Sequence, residues 1–444
     1  MAIDFTYRVR IPHYAGQLAR VATAIAECEG LIGDVTTINL GRESSIREIT
    51  VEARDEAQAE QIAQLVGELD GVDVLWFRDR ALIRHEGGKL AMQPTRRVET
   101  IQDVRDIYTP GVARVSATLA EDVSLASRYT MIGRSVAICT NGTRVLGLGD
   151  IGPVASMPVM EGKAVFYQQC AGISATPILI DTKDPDVFVE VVTRIAPTFG
   201  GIHLEDISAP DCFEIEARLI EALPQPVMHD DVHGTAVVTL AAAIVACRQA
   251  GLVLEDTVVG QIGLGAAGYG IAALMVDAGV RRVLASDPNE LSHGRATAHG
   301  VEVVDMETLM AEAQVVLATT GRPGIITADM IRSGQVIMAL TNPIPEIFPE
   351  EALAAGAGFA ADGRSVNNVI GYPGIFRGAL LSGAEEINLE MRLAAARRIA
   401  ELTVESELVP DVLDPEVHRS IALAVCDAAV ASGVARLERA PVGL

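Results

Sequence analysis

One stretch of this sequence decides the fold: VVGQIGLGAAGYG, residues 258–270. An apolar run leads into a turn that carries Gly263, Gly265 and Gly268 in the spacing G-x-G-x-x-G, and a helical pattern follows. The first glycine permits the tight turn, the second lets the backbone approach a pyrophosphate, and the third lets the helix pack on the strand. The helix N-terminus offers N–H donors and a positive dipole end to phosphates. The stretch predicts a Rossmann-type dinucleotide-binding domain.

The choice of dinucleotide depends on the residue that ends the next strand. VRRVLAS, residues 280–286, predicts that strand, and Asp287 follows it at the spacing of a ribose-binding acid. An acidic side chain at this position hydrogen-bonds a ribose diol and repels a 2′-phosphate. We therefore expect NAD as cofactor, while Arg295 nearby in the sequence leaves NADP open.

Two acid pairs follow short apolar runs elsewhere in the chain. Glu205-Asp206 comes after GIHL, and Asp230-Asp231 comes after PVMH. Both runs predict buried strands, so four carboxyl groups are expected at carboxyl-terminal strand ends, where open α/β sheets bind ligands. Adjacent buried acids repel each other unless a cation compensates. Oxygen ligands suit Mg²⁺ or Mn²⁺; the alternative is two solvated acidic loops.

The composition excludes several classes of protein. The chain has 444 residues, 49% of them hydrophobic, which predicts two or three domains with sizeable cores. A net charge of −24 argues against nucleic acid and anionic membranes as partners. The six cysteines form no CxxC pair, and the amino terminus does not read as a signal peptide, so we expect a cytoplasmic protein. The apolar stretch 236–247 is too short to span a bilayer and predicts a buried helix.

Residues 1–87 read as a separate unit with the element order βαββαβ, a ferredoxin-like arrangement. The unit resembles an ACT domain, a sensing module attached to many metabolic enzymes, and residues 13–18 lie where that family has its first strand-to-helix loop. The resemblance implies a small-molecule effector. The alternative is a dimerisation module without a ligand.

The remainder is predicted to be two α/β domains, at 88–228 and 229–444, the second being the dinucleotide-binding domain with C-terminal helices. The segment 136–150 contains an Asn-Gly turn between apolar runs and predicts a β-hairpin. Lys163 precedes an apolar helix, and Asn342 follows the apolar strand QVIMAL. Thr319-Thr320-Gly321 reads as a turn without a chemical role.

Several longer motifs resemble the malic enzyme family, in its short bacterial type, in the family's order and over roughly residues 90–430. The matching stretches are DIYTPGV (106–112), RVLGLGD (144–150), GK (162–163), LED (204–206), DDVHGTA (230–236), TNP (341–343) and VNN (366–368). The resemblance implies oxidative decarboxylation of L-malate to pyruvate and CO₂ with NAD and Mg²⁺ or Mn²⁺. It also implies a homodimer or larger homo-oligomer.

The resemblance divides the four acids by role. Glu205, Asp206 and Asp231 are implied metal ligands that hold the malate C2 oxygen and C1 carboxylate near the ion. Lys163 is the implied base for the C2 hydroxyl proton, and Asp230 orients it. A lysine base needs its pKa lowered by roughly 3 units, and Asp230 opposes that shift, so the net pKa is left open.

The resemblance also implies substrate contacts. Tyr108 is the implied general acid that protonates C3 of enolpyruvate; the alternative is a half-buried tyrosine capping a turn. The resemblance implies that Arg144 pairs with a malate carboxylate; the alternative is an ion pair between Arg144 and Asp150. The implied substrate-contacting amides are Asn342 and Asn367, with Asn368 equally plausible; turn formation is the alternative.

Two other functions stay open at this point. One is a metal-independent, ACT-bearing NAD dehydrogenase, against which the three metal-type acids speak. The other is a non-catalytic ligand sensor on a decayed dehydrogenase, against which the retained Lys163 and Tyr108 speak. Loss of activity on metal chelation distinguishes an active metal-dependent enzyme from both.

Overall fold

A computed structural model of the protein describes residues 3–145, 147–405 and 407–437. Contacts divide the chain into two units, Met1–Lys89 and Leu90–Leu444. The predicted division of the second unit near residue 228 stays a prediction.

The first unit has the predicted order βαββαβ, followed by a short helix. Its elements are β1 (Ile3–Pro12), α1 (Gln17–Glu27), β2 (Leu31–Leu40), β3 (Ser44–Ala53), α2 (Glu56–Gly67), β4 (Asp73–Asp79) and α3 (Arg80–His85). The strands form one antiparallel sheet in the order β2-β3-β1-β4. Alternation along β1 buries Phe5, Tyr7 and Val9, and the Tyr7 hydroxyl donates to the Ala59 carbonyl of α2 at 2.9 Å.

The edge strand β2 leaves all ten of its residues exposed. Its apolar members include Leu31, Val35 and Leu40, which are 65%, 43% and 63% exposed. An edge strand with unpaired backbone and exposed apolar side chains is a template for pairing with another strand.

The second unit begins with short helices. They are α4 (Ile101–Ile107), α5 (Gly111–Glu121) and α6 (Ala126–Tyr129). Every residue of α4 and α5 is at least partly exposed, including Ile101 at 78% and Ile107 at 47%. A capping box between Thr100 and Asp103 fixes the start of α4.

A parallel sheet follows and carries both acid pairs. Its elements, with the next helix, are β5 (Ser135–Thr140), α7 (Pro153–Ala171), β6 (Ser174–Leu179), α8 (Pro185–Ile195), β7 (Gly201–Leu204), α9 (Asp211–Ala222), β8 (Val227–His229) and α10 (Thr235–Gln249). The strand order is β6-β5-β7-β8. Glu205-Asp206 directly follows β7 and Asp230-Asp231 directly follows β8, so the predicted buried strands are confirmed.

Two local predictions for this region were wrong. The hairpin at 136–150 does not form in its described part, because β5 is already paired with β6 and β7 on both edges. The chain after β5 makes turns with an isolated bridge between Val145 and Gly149 instead. Lys163 lies within α7, which begins at Pro153, rather than before a helix.

A second parallel sheet has the dinucleotide-binding strand order. Its elements are β9 (Val258–Ile262), α11 (Ala266–Asp277), β10 (Arg282–Ser286), α12 (Glu290–Ala298), β11 (Glu302–Val303), α13 (Met306–Glu312), β12 (Val315–Ala318), β13 (Val336–Ala339), α14 (Pro349–Ala354) and β14 (Phe359–Asp362). The order β11-β10-β9-β12-β13-β14 is the doubly wound pattern 3-2-1-4-5-6. The Rossmann-type architecture is confirmed.

Three helices from the last part of the chain pack against one another. They are α15 (Tyr372–Ser382), α16 (Leu389–Leu402) and α17 (Pro415–Ser432), and α16 among them packs against α10. Among the described residues, one helix, Asp230–Gln249, is long and apolar enough to cross a membrane, but 78% of its most apolar window is buried within the protein. Because α10 packs against α11 and α16, it is the predicted buried helix.

Candidate active site

A cavity of about 1010 Å³ opens at the carboxyl ends of strands from both parallel sheets. It brings together most of the residues predicted to act on substrate, metal or cofactor. These are Arg144, Lys163, Glu205, Asp206, Asp231, Gly265, Asp287, Asn342, Asn367 and Asn368. Chain topology explains this convergence, because parallel strands end at the same edge of each sheet.

Three carboxylates form a cluster of metal-ligand type. One oxygen each from Glu205, Asp206 and Asp231 lie within 4.8 Å of one another. Glu205 and Asp206 are buried, whereas the Asp231 side chain is 30% exposed. Asp206 adopts a left-handed φ of 53°, and its backbone N–H donates to Asp231 Oδ2 at 2.9 Å, which ties the two acid pairs together.

The electrostatics of this cluster fit a divalent cation. Burial, followed by Asp231, raises the pKa of Asp206 to about 8, and burial also raises the pKa values of Glu205 and Asp231 well above their ordinary range. Asp206 Oδ2 is buried and has no hydrogen-bond partner among the described residues. A hard cation would supply positive charge to the cluster and a partner to Asp206 Oδ2.

Lys163 lies at the centre of the acids. Its Nζ is 2.6 Å from Asp230 Oδ2 and 3.1 Å from Glu205 Oε2, and its side chain is 13% exposed. Burial lowers the pKa of Lys163, but Asp230 and Glu205 outweigh burial and raise this pKa well above its ordinary value. The ring of Tyr372 lies under the ammonium, with Nζ 4.6 Å from the ring centroid.

A buried histidine supports Glu205 from behind, and sequence reasoning missed it. His203 Nε2 is 2.6 Å from Glu205 Oε2, and Tyr167 Oη is 2.8 Å from His203 Nδ1. Burial lowers the pKa of His203 to about 3, so the ring is neutral. In the Nε2–H tautomer it donates to Glu205 and accepts from Tyr167. A histidine within the apolar run of β7 was the available signal.

A second buried network holds the loop after β8. Glu216 accepts the backbone N–H of His229 at 2.7 Å, and its other oxygen is 3.0 Å from His233 Nε2. His233 also contacts Arg392 of α16. His233 is thus engaged by Glu216 and Arg392, whereas His229 Nδ1 lies 3.7 Å from Asp231 Oδ2 of the three-carboxylate cluster.

The glycine loop leaves one side open to the cavity. Gly263 has a φ of 91°, and a Cβ on Gly268 would lie 1.9 Å from the Gly263 carbonyl, so both positions exclude side chains. A Cβ on Gly265 would meet no atom within 4 Å, which leaves its backbone accessible to a ligand. Asp287 accepts the N–H of Leu264 at 2.6 Å and thereby fixes the loop.

The predicted substrate contacts occupy different parts of the cavity wall. Arg144 is exposed to the cavity, and Asp150 pairs with Lys183 rather than with Arg144. Asn342 donates to the Gly363 carbonyl at 3.3 Å.

The two candidate amides of the VNN motif differ in their surroundings. Asn367 is exposed, and its oxygen accepts the Val369 N–H at 3.0 Å. Asn368 is half-buried and donates to Thr235 Oγ1 at 2.7 Å and to Asp230 Oδ2 at 3.5 Å. Asn368 is therefore the amide that contacts the acid beside Lys163.

Tyr108, the predicted general acid, lies outside the lining of the cavity. It ends α4, is 71% exposed, and is not among the side chains that line the cavity. The alternative of a half-buried tyrosine does not hold, because α4 and α5 lie at the surface of their unit and Tyr108 is exposed with them; the role of general acid stays a prediction.

Two protein-family descriptions match the chain. Residues 87–220 match "Malic enzyme, N-terminal domain", and residues 253–338 match "Acetohydroxy acid isomeroreductase, NADPH-binding domain". The first match includes β5, β6 and β7 of one parallel sheet, and the second includes β9 to β12 of the other.

Relatives and a solved structure resemble the chain over most of its length. The chain is 50% identical to NAD-dependent malic enzyme 1 of Bacillus subtilis, over 96% of this chain and 97% of that protein. It is 40% identical to NAD-dependent malic enzyme of Geobacillus stearothermophilus, over 100% and 98% of the two chains. The crystal structure of NAD-dependent malic enzyme from Thermotoga maritima has a TM-score of 0.73 at 36% identity, covering 79% of this chain and 99% of that one.

Proposed function

The chain belongs to the malic enzyme family, and on this premise we propose that it converts L-malate and NAD⁺ to pyruvate, CO₂ and NADH. One observation carries the proposal: Lys163 and the three-carboxylate cluster face the same cavity as the open backbone of Gly265. The two chemistries that the reaction needs, proton removal beside a metal and hydride transfer to a dinucleotide, therefore share one space.

Glu205, Asp206 and Asp231 are proposed to hold Mg²⁺ or Mn²⁺. The chemistry supplied by the bound ion is Lewis-acid polarisation of the malate C2 oxygen. The raised pKa values of these acids mean that cation binding displaces protons, so affinity rises with pH.

Lys163 is proposed to accept the C2 hydroxyl proton as the hydride leaves C2 for the nicotinamide. Asp230, at 2.6 Å, fixes the position of Nζ, and Asn368 in turn contacts Asp230. A cation bound to Glu205 and Asp231 would offset the charges of two of the three carboxylates that raise the pKa of Lys163. The metal site thus moves the lysine toward the neutral form that a base requires.

Arg144, Asn342 and Asn367 are proposed to bind the malate carboxylates from the opposite wall of the cavity. The guanidinium of Arg144 suits bidentate contact with a carboxylate. The charge of Asp287 disfavours a 2′-phosphate, which supports NAD over NADP.

Tyr108 is proposed to act as the general acid in the cavity of a second copy of the chain. Its 71% exposure, outside the lining of its own cavity, supports a shared site, and Ile101 and Ile107 add exposed apolar surface beside it. The unpaired, apolar edge of β2 in the first unit offers a further pairing surface. We therefore propose a homodimer or larger homo-oligomer.

The first unit is proposed to regulate activity through a small-molecule effector. Residues 13–18, with Ser45 and Arg47, line a surface cavity of about 440 Å³ at the β1–α1 loop. Comparing the activity of the wild type with that of Arg47→Ala across a panel of amino acids and organic acids tests this role. An unchanged rate with every compound counts against it. A cytoplasmic location is proposed because all six cysteines are free.

The defining experiment measures NADH and pyruvate formed from L-malate by the purified full chain. We expect both products with Mn²⁺ or Mg²⁺ and neither after chelation. Malate-dependent NAD reduction that survives chelation would indicate a metal-independent dehydrogenase instead. Absence of both products under every condition would refute the enzymatic proposal.

A further inference from the structure

A buried carboxylate outside the metal cluster ties two cavity loops together. Glu346, in the loop after β13, has no exposed surface. Its Oε1 accepts the backbone N–H and the hydroxyl of Thr320 at 2.7 and 2.8 Å and also accepts the Thr341 hydroxyl. Its Oε2 accepts the Thr341 N–H at 3.2 Å. Four donors satisfy a buried charge that would otherwise be costly.

The hydrogen bonds of Glu346 lie beyond the end of the pairing between β12 and β13. The pairing between β12 and β13 ends at Ala318 and Ala339, and Thr320 and Thr341 belong to the loops that follow. The N–H of Gly321 donates to Thr341 Oγ1 at 3.0 Å, which adds a direct link between these loops. Glu346 therefore fixes loop positions that the strand ladder does not set.

The two loops face different reactants in the proposed reaction. Thr319 lies against the glycine loop, because a Cβ on Gly263 would be 2.9 Å from its carbonyl oxygen. The other loop carries Asn342, which lines the same cavity. Gly321 approaches the substrate side as well, since a Cβ there would lie 3.7 Å from Arg144 Nη2.

We propose that Glu346 is a positioning residue that sets the cofactor loop against the substrate loop for hydride transfer. The inference rests on the proposed function and adds a residue that contacts neither reactant. Hydride transfer needs the nicotinamide and malate C2 in register, and small misplacements of reacting atoms are costly in rate. Decarboxylation of added oxaloacetate needs the substrate side alone, because no hydride moves.

The test compares these two reactions in Glu346→Ala and Glu346→Gln. For Glu346→Ala we expect kcat/KM for malate oxidation to fall roughly 100-fold, and oxaloacetate decarboxylation to stay within about fivefold of wild type, since the metal and lysine sites are untouched. Glu346→Gln keeps the acceptor oxygen Oε1. It replaces Oε2 by an amide NH₂ group, which cannot accept a hydrogen bond from the Thr341 N–H. We expect the same ordering, with a loss of about tenfold in malate oxidation.

Gln335→Ala is a matched control at the opposite end of β13. Gln335 is also buried, and its side chain accepts the Arg332 N–H and donates to the Met310 and Ala313 carbonyls at 2.7, 3.0 and 2.8 Å. We expect this variant to lower Tm but to leave both rates unchanged at temperatures where it is folded.

The outcomes separate the two proposals. An equal loss in both reactions, or wild-type malate oxidation, in a folded Glu346 variant overturns the positioning role while leaving the proposed function intact. If Glu346→Ala does not fold, the loss of malate oxidation relative to the loss of oxaloacetate decarboxylation is measured in Glu346→Gln instead. A wild-type chain that lacks both activities refutes the proposed function and this inference with it.

Discussion

Raising the pH should destabilise the metal-free protein through its carboxylate cluster, and a bound cation should remove this effect. Glu205, Asp206 and Asp231 all have pKa values raised chiefly by burial. An acid whose pKa is higher in the folded state keeps a proton that the unfolded chain releases. Stability is therefore lost as pH rises from the unfolded value through the folded value.

The magnitude follows from Asp206. Its pKa rises from 3.8 to about 8, and each pKa unit corresponds to about 1.4 kcal/mol. Between pH 5 and pH 8, this residue alone should lower the free energy of unfolding by about 4 kcal/mol. For a unit of this size, that corresponds to a fall in Tm of roughly 5 °C. Glu205 and Asp231 act in the same direction.

The assay is calorimetric Tm measured from pH 5 to pH 8.5, with a chelator and with saturating Mn²⁺. We expect a falling Tm in the chelated wild type, a shallower slope in Asp206→Asn, and a flattened slope with Mn²⁺. Asp256→Asn, which removes an exposed carboxylate outside the cavity, should keep the wild-type slope. A chelated wild type with a constant Tm, or an Asp206→Asn variant with an unchanged slope, would refute the reasoning.

Three further predictions address the proposed roles. Lys163→Ala should lower kcat for malate oxidation by about 10²–10⁴-fold, as expected for loss of a general base, while NADH binding followed by fluorescence stays close to wild type; a wild-type kcat contradicts the assignment. Mixing Tyr108→Phe with Lys163→Ala subunits should restore about one quarter of wild-type activity, because about half of the dimers are mixed and each has one intact shared site. No recovery would place Tyr108 outside a shared site. Asp287→Asn keeps an acceptor for the loop but removes the charge, so the kcat/KM ratio of NADP to NAD should rise at least about tenfold; an unchanged ratio shows that Asp287 does not select the cofactor.

The elements that local patterns specify were predictable from the sequence. β7 and β8 read as apolar runs, and the acids after them lie at strand ends because the chain must leave the sheet there. The prediction of a hairpin at 136–150 was wrong because an Asn-Gly turn is a local signal. Both edges of β5 are hydrogen-bonded to other strands, β6 and β7. Its pairing partners come from distant parts of the chain, which a local pattern does not reveal.

The residues of the candidate site also fall into those that the sequence predicts and those that it does not. Most of the predicted residues inside matched motifs, such as Lys163 and Glu205, converge on one cavity, and Tyr108 does not. The supports that hold them are long-range contacts: Tyr167 reaches His203 across 36 residues of sequence, and Glu346 reaches Thr320 across 26. In a sequence, such supporting contacts are indicated by polar residues within or beside the apolar runs that predict strands.

The four acidic residues near Lys163 differ in their pKa values, because one ammonium group is shared among four carboxyl groups. Lys163 lowers the pKa of Asp230 against the effect of burial, whereas Glu205, at 3.1 Å from the same Nζ, keeps a raised pKa. If all four carboxylates were ionised and Lys163 protonated, the group would carry three net negative charges, and a divalent cation would reduce that excess to one. The cluster thus favours a cation, and the cation in turn lessens the negative potential that holds Lys163 protonated. Metal binding and activation of the base are therefore one coupled electrostatic event, which requires that the pH dependence of malate oxidation shift to lower pH as metal affinity increases.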